Sequence, residues 1–137
     1  MIDNRDRWGD IWDLIHLARS RWLSERRGAH SAALARLDTR RRRNSKSDRL
    51  VQLYRLRLMI ALGDPRRHSL VEALAKEQWP SASDDDRYLN AYRRLMMHGL
   101  SGDRDETEQA ATELRESSAL TFIRHTLPPL GLNWQQK

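Results

Sequence analysis

Five basic side chains stand within seven positions of this sequence and form its densest charge cluster. They lie between Thr39 and Ser47 and are Arg40, Arg41, Arg42, Arg43 and Lys46. Clustered arginine and lysine neutralise phosphates and release counterions, which supplies sequence-independent affinity for nucleic acid. The cluster contains no aromatic residue, and no short recognition helix of the helix-turn-helix kind accompanies it. Three interpretations stay open: a solvated loop, a docking point for a partner protein, and a nucleic-acid contact.

The other residues suited to metal binding or acid-base chemistry lack the spacing that such sites need. The five histidines are scattered about one per predicted helix, without an i, i+4 pair or a His-Glu-x-x-His pattern. The run from Asp84 to Asp86 lacks the glycine and the terminal glutamate of a calcium loop, which favours a helix-capping role. Cysteine is absent, so the sequence offers neither a disulfide nor a thiolate. We expect no metal, no cofactor and no catalytic activity.

The net charge of +6 is unevenly spread over the 137 residues. Residues 1–68 contain 17 Lys and Arg against 8 Asp and Glu, a balance of +9, whereas residues 69–137 contain 8 against 11, a balance of −3. This asymmetry is typical of a nucleic-acid face, of attraction to an acidic partner, or of head-to-tail contact between copies. The length fits one domain, and neither a signal peptide nor a bilayer-spanning apolar run is visible. We predict a single cytoplasmic domain over residues 1–137.

Three glycines divide the chain into pairs of helices. Gly28, Gly63 and Gly102 each stand between a long apolar-periodic segment and a shorter one, at separations of 35 and 39 residues. Glycine often ends a helix because it readily adopts positive φ, and a repeat period of this size is typical of a helical solenoid. No segment shows the period-2 alternation of a strand. We therefore predict an all-α fold of three helical hairpins, at about residues 4–43, 47–80 and 83–116, followed by a short C-terminal capping helix within 118–134.

Two of these helices have distinctive patterns. The segment from Leu50 to Leu62 is apolar on almost every side, so we expect it at the centre of the domain, with Ser47 and Asp48 as its cap. The first helix, over about residues 4–25, has an apolar stripe that is wider than a two-position seam. Such a stripe indicates a helix with two neighbours.

The middle hairpin resembles the tetratricopeptide repeat. Leu56, Met59, Gly63, Ala75 and Pro80 fit its pattern of apolar helix end, turn glycine, alanines in the second helix and closing proline. The layout of residues 50–127 is similar to that of the small tetratricopeptide-like chaperones of type III secretion systems. These chaperones hold a needle or pilus subunit in the cytoplasm, usually together with a small helical co-chaperone. The resemblance implies a tetratricopeptide-like array whose concave groove grips an amphipathic helix of the subunit.

The register of the hairpins nominates the residues of such a groove, because the first helix of each pair lines the concave side of a superhelix. The predicted partner groove consists of Ile15, Trp22, Leu53, Arg57, Ile60, Tyr92 and Met96. By the resemblance, the N-terminal stripe meets the co-chaperone through Trp8, Ile11 and Trp12.

We therefore expect a non-catalytic cytoplasmic chaperone or adaptor that binds a helical segment of a partner protein. The partner would be a type III secretion component, such as a needle or pilus subunit or a co-chaperone, or its regulator. The alternative is a basic helical regulator that binds nucleic acid through the cluster from Arg40 to Lys46.

Overall fold

A computed structural model describes residues 4–128 of the chain, with side chains from Gly9 onward. This part is helical and contains no strand, which confirms the all-α prediction. Its helices are α1 (Asn4–Ser24), α2 (His30–Asp38), α3 (Lys46–Leu62), α4 (Arg67–Ala75), α5 (Asp84–Ser101), α6 (Arg104–Glu116) and α7 (Thr121–Thr126). The tetratricopeptide-like arrangement of hairpins stays a prediction. Residues 129–134 of the predicted C-terminal cap lie outside the described part.

Two of the predicted glycine breaks end long helices in the left-handed conformation. Gly63 has a φ of 66° after α3, and Gly102 has a φ of 83° after α5. The N–H groups of Gly63 and Asp64 donate to the carbonyls of Ile60 and Met59, so these last carbonyls of α3 keep hydrogen-bond partners. A residue with a Cβ would be strained at either glycine.

The starts of the long helices confirm one predicted cap and correct another. The Ser83 side chain accepts from the backbone N–H of Asp86, and the Asp86 side chain accepts from the backbone N–H of Ser83, which forms a capping box. At α3 the capping side chain is Ser45, whose Oγ accepts from the N–H of Asp48 at 3.2 Å. The prediction of Ser47 as the cap was therefore wrong, because the hydroxyl of Ser47 contacts α1 instead.

The chain forms two compact units, Met1–Asp64 and Pro65–Lys137, hereafter unit 1 and unit 2. Unit 1 contains α1 to α3, and unit 2 contains α4 to α7. The boundary falls inside the predicted middle hairpin, so that its two helices belong to different units. The prediction of one domain over residues 1–137 stays a prediction.

In unit 1, all three helices contact one another, and α3 is the most deeply buried. Val51, Leu53, Leu56 and Met59 have no exposed surface, and Leu50 is 2% exposed. The almost continuous apolar sequence of α3 predicted this position, because a helix that is apolar on most sides is stable only when it is covered.

In unit 2, α5 packs against both α4 and α6. The side chains of Tyr88 and Leu95 on α5 are fully buried. The Tyr88 hydroxyl donates to the carbonyl of Leu127, and the backbone N–H of Leu120 donates to Oδ1 of Asp85 at 2.9 Å. These two bonds attach the segment that contains α7 to the start of α5.

Arg93 on α5 contacts the end of α4, which lies at Ala75. Its Nη1 donates to the carbonyls of Leu74 and Glu77 at 2.7 and 2.9 Å. Its guanidinium also lies 4.1 Å from the centroid of the Trp79 ring. One carbonyl at the end of α4 and one just beyond it thus receive a side-chain donor from α5.

Three residues of the predicted partner groove belong to the core instead. Leu53, Tyr92 and Met96 have no exposed surface, so they cannot receive a partner, and the prediction was wrong for them. The physical reason is that α3 and α5 each pack against two helices of their own unit, which uses more than one apolar side. Arg57 and Ile60 are half-buried, and their role in a groove stays a prediction.

Candidate protein-docking face

Exposed apolar side chains follow one side of α1. Trp12 is 56% exposed, Trp22 57% and Ile11 40%. Ile11, Ile15, Ala18 and Trp22 recur every three or four residues, which places them in one row along the helix, and Trp12 flanks that row. We call these five residues the outward strip.

The opposite side of α1 is buried and mostly small or polar. Its buried residues also recur at helical spacing and are Gly9, Asp13, Leu17, Ser20 and Ser24. Of these, only Leu17 is a large apolar residue. A surface helix normally covers its apolar side and exposes its polar side. The orientation of α1 is the reverse: its polar side faces the rest of unit 1, and its apolar side faces solvent.

Specific polar contacts hold the polar side of α1 in place. The Asp13 carboxylate accepts from the Arg40 guanidinium and from the Ser47 hydroxyl, the latter at 3.3 Å. Ser24 Oγ and the Tyr54 hydroxyl form a hydrogen bond of 2.6 Å at the other end of the helix. Buried polar groups are costly unless they have partners, so these bonds select one rotation of α1 about its axis.

Arg40 is the centre of this arrangement. Its side chain is 2% exposed and forms ion pairs with Asp13 and Asp48, which are 5% and 0% exposed. The second oxygen of Asp48 accepts from Nε of Arg42 at 3.0 Å. A buried ion pair is strongly destabilised when one partner is removed, because the other charge stays in the interior. Arg40 therefore links α1 to α3, because its guanidinium pairs with Asp13 on α1 and with Asp48 on α3.

The Arg43 guanidinium lies against α1 at Gly9, a position without a side chain. A Cβ built on Gly9 would lie 2.3 Å from Nη1 of Arg43, well inside van der Waals contact. The absence of a side chain at Gly9 thus makes room for the guanidinium.

The basic cluster is therefore an internal connection only in part. Arg40, Arg42 and Arg43 contact α1 or α3, but of the five cations only Arg40 has a buried side chain. The expectation of a purely solvated loop was wrong for Arg40. The sequence did contain a signal for this contact, because Asp10 and Asp13 on α1 could pair with the basic cluster. It does not show which carboxylates face the cluster.

The structure brings together residues that the sequence assigned to two different surfaces. Ile15 and Trp22 were predicted for the partner groove, and Ile11 and Trp12 for the co-chaperone contact. All four lie on the same side of α1, where Ile11, Trp12 and Trp22 are exposed and Ile15 is half-buried. Trp8 belongs to α1, but its side chain lies outside the described part of the structure.

Two arginines that were missed by the site prediction flank the outward strip. Arg19 is exposed and follows Trp12 by seven residues, so it lies along the same edge of the helix. Arg26 follows the end of α1, and its guanidinium lies 4.5 Å from the centroid of the Trp22 ring. The Arg26 contact is a cation–π interaction, which holds the charge at the edge of the apolar surface.

The described carboxylates of α1 and its C-terminal turn lie away from this edge. Asp10 and Asp13 accept from Ser47 on the buried side. Glu25 pairs with Arg21, at 3.6 Å between Oε1 and Nη2. The exposed side of α1 therefore presents apolar groups and the charges of Arg19 and Arg26, while the exposed Glu25 is paired with Arg21.

Unit 2 has a separate apolar cleft between α4 and α5. Its volume is about 630 Å³, and Val71, Met97 and Leu100 contribute apolar walls. Glu72 and Lys76 also line it. The cleft has no aromatic lining, which distinguishes it from the tryptophan-rich outward strip.

Within the described residues, no three His, Asp or Glu side chains are grouped as a metal site would require. The same part of the chain has no helix that is both long and apolar enough to cross a bilayer. Compared with the models of known protein families, with curated proteins and with solved structures, the chain gives no match.

Proposed function

We propose that this chain is a non-catalytic adaptor or chaperone that binds an apolar helical segment of a partner protein along the outward strip. The reversed orientation of α1 carries this proposal. Its polar side is occupied by Arg40, Ser47 and Tyr54, while Trp12 and Trp22 remain exposed. A contiguous exposed apolar patch is a common mark of a protein interaction site.

The dimensions of the strip suit a helix. From Ile11 to Trp22 it extends over about 16 Å, or roughly three helical turns. The small side chain of Ala18 lies between Ile15 and Trp22, so a partner side chain can insert there as ridges insert into grooves. Tryptophans are also frequent among the few residues that dominate binding energy. A partner helix of three to four turns would cover the strip.

The wider parts of the proposal rest on the resemblance over residues 50–127. They are a tetratricopeptide-like stacking of hairpins, a cytoplasmic location, and a type III secretion subunit, co-chaperone or regulator as the partner. The docking surface differs from the one that the resemblance implies, because the strip lies on one exposed helix side, whereas Leu53, Tyr92 and Met96 are buried.

Nucleic-acid binding is not proposed as a second function. Arg40, whose side chain is 2% exposed, and Arg42 already pair with buried carboxylates, while the other three cations of the cluster are exposed. Phosphate binding needs accessible cations, so the cluster offers fewer than its sequence suggests.

The proposal is tested by isolating the partner and then measuring its affinity. The tagged chain is purified from its own cells, co-purifying proteins are identified by mass spectrometry, and the recombinant partner is titrated against variants. We expect Trp12→Asp and Trp22→Asp each to weaken binding by about ten-fold or more without loss of helicity. Phe122→Asp is the matched control, since Phe122 is 46% exposed but lies in unit 2. Full affinity in both strip variants would refute the proposal.

A further inference from the structure

The charge around the outward strip specifies the kind of helix that fits it. Arg19 and Arg26 lie along the edge that carries Trp12 and Trp22, whereas Asp13 is buried on the opposite side of α1. A partner that covers the apolar groups must place one of its own edges beside these two arginines. Like charges there would repel, and opposite charges would attract.

We propose that the occupant of the outward strip is an amphipathic helix whose apolar face is bordered by glutamate or aspartate. This inference rests on the proposed function, since it names the partner class of the same site. The acidic residues would lie on one edge of the partner helix, because Arg19 and Arg26 lie along one edge of the outward strip.

The position of Arg26 adds to the selectivity. Its guanidinium stacks on the Trp22 ring, so its charge is held beside the apolar surface instead of extending into solvent. A carboxylate that reaches Arg26 would approach a charge that is already ordered. The entropy lost on forming that ion pair is smaller than for two freely moving side chains.

Two other occupants fit the charge less well. A second copy of the strip would place two arginines against two arginines, and the one exposed carboxylate described next to it, Glu25, is already paired with Arg21. The sequence of residues 129–137 contains apolar groups, including Trp134, but neither aspartate nor glutamate. An acidic amphipathic helix supplies both the apolar area and the opposite charge.

Three synthetic peptides of about 18 residues test this inference with the full-length protein. They share one leucine-rich apolar face, and their two edge positions carry glutamate, glutamine or lysine. Affinity is measured by anisotropy of a label on the peptide. We expect the glutamate peptide to bind about five-fold more tightly than the glutamine peptide, and the lysine peptide to bind most weakly. Raising the salt from about 50 mM to about 500 mM should reduce this preference.

Charge reversal on the protein makes the test specific to the two arginines. Arg19→Glu combined with Arg26→Glu should invert the order of the peptides, so that the lysine peptide binds best. Arg104→Glu is the control, since Arg104 is exposed in unit 2, and it should leave the order unchanged.

Each failure has a separate meaning. Equal affinity for the three peptides would overturn the acidic-helix inference and leave the docking function standing. Absence of binding by every peptide would overturn the docking function and the inference together. Sedimentation that shows a dimer of the wild-type protein and a monomer of Trp12→Asp would assign the strip to a second copy, which also overturns the inference.

Discussion

The helices α1 and α5 both carry apolar side chains, but α5 buries them whereas α1 exposes many of them. On α5 the aromatic and aliphatic side chains point into unit 2, where Tyr88 and Leu95 have no exposed surface. On α1 the aromatic residues Trp12 and Trp22 are more than half exposed, and Asp13 is buried. Burial of apolar area stabilises α5, whereas directional polar bonds fix α1. A helix held in this second way leaves its apolar side available for another molecule.

The largest expected effect concerns the ion pairs that fix α1. Arg40→Met should lower the free energy of unfolding by about 3–5 kcal/mol, because Asp13 would remain buried without a counter-charge and Asp48 would keep only Arg42. Urea unfolding measures the loss, and hydrogen exchange locates it in unit 1. The exposed neighbour Arg41 provides the control, since Arg41→Met should change stability by less than about 0.5 kcal/mol. A loss in Arg40→Met no larger than in the control would show that the pairs do not hold α1.

A somewhat smaller loss is expected when the contrasting apolar contact of α5 is removed. Leu95→Ala should destabilise the protein by about 3 kcal/mol, because it deletes buried methyl groups and leaves a cavity. Faster amide exchange should be concentrated in α5 and its neighbours α4 and α6. If exchange in those helices did not change, the burial of α5 would have been misassigned.

The hydrogen bond between Ser24 and Tyr54 should contribute less to stability than the ion pairs of Arg40 or the burial of Leu95. Ser24→Ala and Tyr54→Phe should each lower the free energy of unfolding by about 1 kcal/mol. Each change leaves the other hydroxyl without this hydrogen-bond partner. The double variant should cost clearly less than the sum, because both changes delete the same bond. Strict additivity in the thermal or urea transitions would mean that the two hydroxyls do not interact.

The smallest expected effect on stability belongs to the outward strip. Trp12→Gln should alter the free energy of unfolding by no more than about 0.5 kcal/mol, because more than half of the side chain is already in water. Binding of a hydrophobic dye should decrease in the same variant. A loss above about 2 kcal/mol would contradict the exposed position of Trp12 and remove the contrast between the two helices.

Local patterns of the sequence anticipated much of the fold. The glycines at 63 and 102 end helices in the left-handed conformation, and Ser83 begins a helix with a capping box. These features depend on one or two turns of backbone, so residue type alone predicts them. The apolar character of α3 likewise predicted its burial.

The candidate site was predicted only in part. Ile11 and Trp12, which the resemblance assigned to a contact surface, are exposed, and their role in contacts stays a prediction. The register of the hairpins placed Leu53 and Tyr92 in an open groove, although both are buried. Periodicity shows which residues share a side of a helix. It does not show whether that side meets another helix or solvent, because this depends on distant residues.

The sequence by itself determined that the chain is helical, where its long helices end, and that α1 carries an apolar stripe. Only the tertiary structure decided that this stripe points into solvent and that the Arg40 side chain of the basic cluster points inward. The reason is that Arg40 can satisfy Asp13 and Asp48 only when α1 turns its polar side toward α3. Buried charges require partners, and that requirement outweighs the hydrophobic pattern of a single helix.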